Sequence, residues 1–239
     1  MMFKRVLVHE LKTMTRDKMY MFLLLYPLIM ALVAYFLVPY LRDLDSQLAA
    51  DIVTLVFILM NSFMFGAITG FTLLDDQDDQ VILSLRITPI NVKYYVFIKL
   101  AVSYFLGILS TLLLVLVTGF LSNATILDFI YIILLASMQG PIFALLINSF
   151  ATNKVEGFVI MKLSGIILLV PIAALFLTNW TELFLGVLPG FWPSRLVSMQ
   201  LIPGDYLLGS STLYFVIGLF VNLLLGVLFF KLYSKRVKI

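Results

Sequence analysis

The sequence predicts an all-α integral membrane protein with six transmembrane helices, on three observations. Of its 239 residues 62% are hydrophobic and only 12% charged, whereas an ordinary soluble domain carries roughly 25% charged residues. The mean hydropathy of +1.10 suits a surface solvated by lipid. The apolar residues also fall in long uniform runs, not in the alternating segments of about ten residues that mark a membrane β-barrel.

The runs follow one another at regular intervals. Residues 19–40, 52–74, 100–121, 129–152 and 206–230 contain no charged side chain, and each has the roughly 20 residues needed to cross ~30 Å of hydrocarbon. Residues 157–180 carry only Lys162, near one end, where a lysine snorkels to the interface. Helices are expected because lipid-exposed backbone must satisfy its own hydrogen bonds. Pro27, Pro141 and Pro171 predict kinks.

Orientation follows from lysine and arginine. Lys4, Arg5, Lys12, Arg16 and Lys18 precede the first run, Arg86, Lys93 and Lys99 follow the second, and Lys154 and Lys162 follow the fourth. Lys231, Lys235, Arg236 and Lys238 end the chain, leaving only Arg42 and Arg195 for the other side. Both termini are therefore expected in the cytoplasm. The basic start and the run of about 22 residues after it do not fit a cleaved signal peptide.

Three segments depart from a plain bundle. In residues 1–18, Phe3, Val6, Leu7, Leu11 and Met14 recur at helical spacing opposite Lys4, Arg5, Lys12 and Arg16, the pattern of an interfacial amphipathic helix. Residues 75–99 open with Asp75, Asp76, Asp78 and Asp79 and continue through Leu83, Leu85 and Arg86 to Thr88 and Pro89, where the proline ends any helix. Seven apolar-rich residues at 81–87 are too short to span, and an exposed apolar surface of that kind calls for a partner. Residues 181–205 are apolar yet broken by Pro189, Gly190 and Pro193, which predicts short re-entrant helices on the outer side with Trp180 and Trp192 at headgroup depth.

The sequence excludes several chemistries. It has no cysteine and a single histidine, His9, outside the spans, so thiolate metal sites, disulfides and histidine-based intramembrane proteolysis are ruled out. The four aspartates lack the glycine and closing glutamate of a calcium loop, and no metal site is expected. No phosphate-binding Gly-x-x-x-x-Gly-Lys-Ser/Thr loop is present. Uncharged spans argue against ion-coupled transport and against a sodium cargo. Asn61, Thr69, Gln139, Asn148, Ser164 and Asn222 are polar positions within the spans. They either line a path or bond helices to one another.

Taken together, six spans, an amphipathic start, a short helix after span two and a broken segment before span six resemble the ABC-2 type permeases, over nearly the whole chain. The closest local likeness is Asp78-Asp79, Leu83, Leu85, Thr88-Pro89, Tyr94-Tyr95 and Lys99; residues 147–154 and Leu188-Pro189 add to it. The resemblance implies one transmembrane domain over residues 1–239, an efflux permease of the multidrug or antibiotic type in a bacterial or archaeal cytoplasmic membrane. It also implies that the chain binds no cofactor and catalyses nothing, with ATP and Mg held by a separate ATPase. Asp75, Asp76, Asp78, Asp79, Leu83, Leu85, Arg86, Thr88 and Pro89 would form the coupling segment, and Asn153, Lys154 and Glu156 a second contact. The implied assembly is two permeases with two ATPases in the lipid bilayer, with no nucleic acid. The preferred cargo is a small amphipathic compound; a polysaccharide, teichoic acid or lipid-linked glycan exporter and an ATP-independent secondary transporter are the alternatives.

Overall fold

A computed structural model describes residues 8, 10, 12–88, 91–121, 124–202 and 204–238, apart from the side chains of 167 and 168. Its described residues are helical or looped, with no strand among them. Six helical spans are long and apolar enough to cross a membrane. They comprise α1 (Lys18–Asp43), α2 (Gln47–Asp78), α4 (Val92–Thr118), α5 (Ile126–Phe150), the interrupted pair α6 (Lys154–Ser164) and α7 (Leu169–Phe176), and α10 (Ser211–Val237). Three short helices complete the chain: α3 (Val81–Arg86), α8 (Glu182–Leu185) and α9 (Phe191–Leu201). The expected fold class is thus the observed one.

Local chemistry sets the helix starts. Asp17, Asn91, Thr125 and Asn153 each accept a backbone N–H of the helix they precede, capping α1, α4, α5 and α6. The fifth span breaks where Pro171 predicts. That proline cannot donate to the carbonyl four residues back, and residues Gly165–Leu168 form a 3₁₀ turn between α6 and α7. Pro27 and Pro141, by contrast, lie within unbroken α1 and α5.

The centre of the bundle is the α2–α5 pair, flanked by α1 and α4 on α2 and by α10 on α5. Gly66 and Gly140 let the two backbones touch. A Cβ on Gly66 would lie 2.4 Å from the Gly140 carbonyl oxygen, and one on Gly140 would lie 2.8 Å from the Ser103 hydroxyl of α4. Gly66 and Gly70 are four residues apart, the small-residue spacing of closely packed membrane helices. Lipid cannot drive helices together as water does, so van der Waals contact at such positions holds the pair.

The helices outrun the apolar runs. α2 has 32 residues, about 48 Å at 1.5 Å per residue, well beyond the hydrocarbon thickness. Asp75, Asp76 and Asp78 are therefore its last turn and not the loop that the sequence predicts. Likewise Asp51, which lies just before the second apolar run, is within α2 and is buried. Lys99, read as a loop cation, lies inside α4 with 1% exposure. The expectation that no charge is buried in the spans is overturned by Lys99 and Asp76.

Candidate functional site

α3, α6 and the ends of α2 and α10 gather at one end of the bundle, here called the basic end. Gln80, with φ of 57°, turns the chain sharply from α2 into α3. Only Ile82 of the six residues of α3 is buried. Leu85 is half-buried against the core, whereas Leu83 is 53% exposed and Ile87, just past the helix, 91% exposed. The outward side of α3 thus carries exposed Leu83, with Ile87 just beyond, beside exposed Ser84 and Arg86. Arg86 donates to the carbonyls of Val237 and Lys238 at 2.6 and 3.0 Å, tying α3 to the end of α10. Thr88 closes α3 by bonding the Leu85 carbonyl at 2.7 Å, and Pro89 lies outside the described residues.

The four aspartates divide. Asp78 and Asp79 are exposed at the α2–α3 turn, while Asp75 and Asp76 point into the bundle. Asp75 accepts from the Tyr20 hydroxyl of α1 at 2.5 Å and pairs with Lys154 of α6 at 2.6 Å. Asp76 pairs with Lys99 of α4 at 2.6 Å and accepts from Tyr95 at 2.9 Å. Buried as it is, Asp76 offers nothing to a protein docked from outside. Lys99 also meets Glu10 at 3.0 Å, and Thr72 donates to the other Glu10 oxygen at 3.0 Å. One buried ammonium thus lies between two buried carboxylates and donates to Asp76 and to the Thr72 carbonyl, 3.3 Å away. Of the predicted amphipathic start, Met14 is buried in the core; Phe3, Val6, Leu7, His9 and Leu11 lie outside the described residues.

The second predicted contact is largely occupied with its own helix start. Asn153 accepts the Glu156 N–H at 3.0 Å. The Glu156 carboxylate accepts from both the backbone and the hydroxyl of Thr152 at 2.7 Å. Neighbouring Val155, 75% exposed, is the apolar residue that this turn presents outward.

The polar span residues are buried among helices. Gln139 donates to Asn222 at 3.1 Å, joining α5 to α10. Asn148 donates to the Gly70 carbonyl at 2.8 Å, joining α5 to α2. Both amide atoms of Asn61 and the hydroxyl of Thr69 are buried with no hydrogen-bond partner, and Ser164 bonds back to its own helix at 2.7 Å.

At the opposite end, the broken segment forms α8 and α9, joined through Pro189 and Gly190. Gly190 has φ of 88°, which only glycine adopts freely, and it starts α9. Pro193 falls in the first turn of α9, where its missing N–H costs nothing. α9 packs against α2, α5, α7 and α10. Trp180 is 62% exposed as expected, but Trp192 is 4% exposed and donates to the Gly186 carbonyl at 2.8 Å. The Trp192 indole thus packs inside the protein and presents no face to lipid. Sequence reading missed the pair between Glu182 of α8 and Arg195 of α9, 2.5 Å apart with both side chains fully buried. Tyr214 of α10 donates to Glu182, and Arg195 donates to the Leu177 carbonyl. The signal was a lone acid and a lone base flanking the Pro-Gly break. An apolar groove of about 480 Å³ lies beside this pair, between Leu183, Val187 and Trp192 on one side and Val221 and Leu224 on the other.

Among the described residues no three His, Cys, Asp or Glu side chains are grouped to hold a metal ion. No solved structure matches the chain. Two curated relatives from Mycobacterium tuberculosis, of strains CDC 1551 / Oshkosh and ATCC 25618 / H37Rv, are both named fluoroquinolones export permease proteins. Each is 26% identical over 145 residues, 60% of this chain and 58% of the relative, so the match spans less than two thirds of their length. Residues 10–230 match the family described as fluoroquinolones export permease protein Rv2686c-like. The efflux-permease resemblance read from the residues and this match over most of the chain agree: the chain is a multi-pass membrane protein that belongs to the Rv2686c-like export permease family.

Proposed function

We propose that the chain is the permease subunit of an ATP-driven exporter of small amphipathic drugs or antibiotics. A separate ATPase, which holds the ATP and Mg, docks on the outward face of α3, and two permeases pair in the working assembly. The basic end faces the cytoplasm in this reading, because it gathers most of the lysine and arginine. The observation that carries the proposal is the exposed apolar pair at α3: Leu83 stands exposed on a helix too short to span and Ile87 just past its end, and apolar residues exposed in water at one place call for a protein partner. Val155, Asp78 and Asp79 are also exposed at this end of the molecule. The names of the two relatives support a drug cargo, and the groove beside Trp192 suits the apolar part of one.

The test is affinity purification of the tagged chain from its native membrane in mild detergent, with identification of what co-purifies. An ATPase carrying a phosphate loop is expected with wild type and is expected to be lost from L83D/I87D. Leu85 is left alone because it supports the core. Recovery of no such ATPase with wild type overturns the proposal.

A second reading, ATP-independent transport coupled to an ion, has the buried Lys99–Glu10–Asp76 group in its favour. Ion-coupled carriers keep ionisable residues within the membrane protein. Export that persists in membranes depleted of ATP but holding an ion gradient would favour it.

A further inference from the structure

Three consecutive residues at the end of α2 reach every other span. Asp75 holds α1 through Tyr20 and α6 through Lys154. Asp76 holds α4 through Lys99 and Tyr95, and Lys99 brings in Glu10 ahead of α1. Gln77 completes the set: its amide donates to Asn148 of α5 at 2.9 Å, and its carbonyl accepts from Arg236 of α10 at 2.5 Å. α3 begins only four residues beyond Gln77 and is itself tied to the end of α10 by Arg86.

From this convergence we infer that Asp75, Asp76 and Gln77 are the positioning residues through which a displacement of α3 reaches all the spans at once. A six-residue helix cannot push six spans by contact, because its one buried side chain is Ile82. The last turn of α2 is continuous with α3 through the Gln80 turn and is cross-linked by hydrogen bonds and ion pairs to five other spans, all but the Gln77–Asn148 bond to α5 being charge-assisted. Those bonds are short and directional, so they carry displacement with little slack. The three side chains point three ways around one helical turn, as successive residues about 100° apart must. Neighbouring helices on every side are therefore reached without any one of them being overloaded. This inference rests on the coupling reading given above, since it supplies the route from the docked ATPase to the membrane.

The Asp75–Lys154 pair is the place to test it, because it is half-exposed and its loss leaves no buried charge stranded. The chain is purified with its ATPase, reconstituted in liposomes, and drug efflux and ATP hydrolysis are measured together for wild type, D75K, K154D and the swap D75K/K154D. Both single variants are expected to keep the ATPase bound, because Leu83 and Ile87 are untouched. Efflux per ATP should fall about tenfold in each and return to within about threefold of wild type in the swap. ATPase binding and hydrolysis retained in the single variants, with only efflux per ATP reduced, is a result that loss of fold alone does not give. Wild-type efflux per ATP in the single variants overturns the inference, as does a swap no better than either single variant, or loss of the ATPase from both. Should wild type bring down no ATPase, the exporter reading fails and the inference is overturned with it; failure of the inference alone is read from single variants that bind the ATPase and keep wild-type efflux per ATP.

Discussion

Glu182→Gln should loosen the segment between α7 and α10 more than any other near-isosteric change at that end of the molecule. Glu182 and Arg195 are both fully buried, 2.5 Å apart. Arg195 keeps the Leu177 carbonyl and lies 5.6 Å from the Phe191 ring and 5.2 Å from the Tyr206 ring. Its Nε and Nη1 have no hydrogen-bond partner, so the carboxylate is its only anionic neighbour among the described residues. Glutamine preserves shape and still accepts from Tyr214, but the guanidinium is left buried without a counter-charge. Stranding one member of a buried pair costs about 3–5 kcal/mol. At about 2–4 °C per kcal/mol for a chain of this size, the melting temperature should fall by about 10 °C. The assay is thermal unfolding in detergent, followed by the loss of the monodisperse peak in size-exclusion chromatography. Removing both charges, as in E182Q/R195M, should recover most of the loss, because a neutral pair has no stranded member. A Tm for E182Q within about 2 °C of wild type, or a double variant worse than the sum of its singles, would refute the reasoning.

Two further contrasts follow from packing. Gly66→Ala forces a methyl group to within 2.4 Å of the Gly140 carbonyl, so α2 and α5 must separate; the melt should show a loss of about 1–3 kcal/mol. Gly226→Ala, on α10 with nothing within 4 Å of its Cβ, should be neutral or gain up to about 1 kcal/mol in the same melt. Asn61→Leu should change stability by less than about 1 kcal/mol and leave export intact, because both amide atoms already lack partners. Asn148→Leu should cost about 1–3 kcal/mol, since it removes the two bonds that tie α5 to Gly70 and Gln77 of α2. A reversed order for these two asparagines would mark Asn61 as a contact for cargo.

The spans were legible because hydropathy over 20 residues is a sum that no single side chain can upset. Their ends were not, because polar residues extend a helix whenever a neighbour satisfies them. Asp76 continues α2 because Lys99 is there to meet it, and Lys99 is 23 residues away in sequence. The clue was present in the spacing. Thr72 and Asp76 share one helix face, as do Tyr95 and Lys99, and a connection short enough to set α2 and α4 side by side lies between them. Glu10 could not be found that way, since its partner is 89 positions on. Of the segment proposed to couple, the apolar character of Leu83 and Ile87 was visible in the letters alone. That Asp75 and Asp76 turn inward while Asp78 and Asp79 turn outward depends on the rotation of α2 about its axis, which four aspartates in five residues conceal.

The triple junction at Asp75, Asp76 and Gln77 also has a history written into its order along the chain. Translation delivers Tyr20 before the junction, then Lys99, Asn148 and Lys154 in turn, while Arg236 arrives 159 residues after Gln77. A nascent permease therefore carries an unmatched amide and unmatched carboxylates until its later helices have been inserted. Of the six spans α10 is the least buried, and Arg236 near its end is the last of these partners to be made. Until α10 is in place the Gln77 carbonyl waits without it, so the junction is complete only once helices far apart in sequence have met.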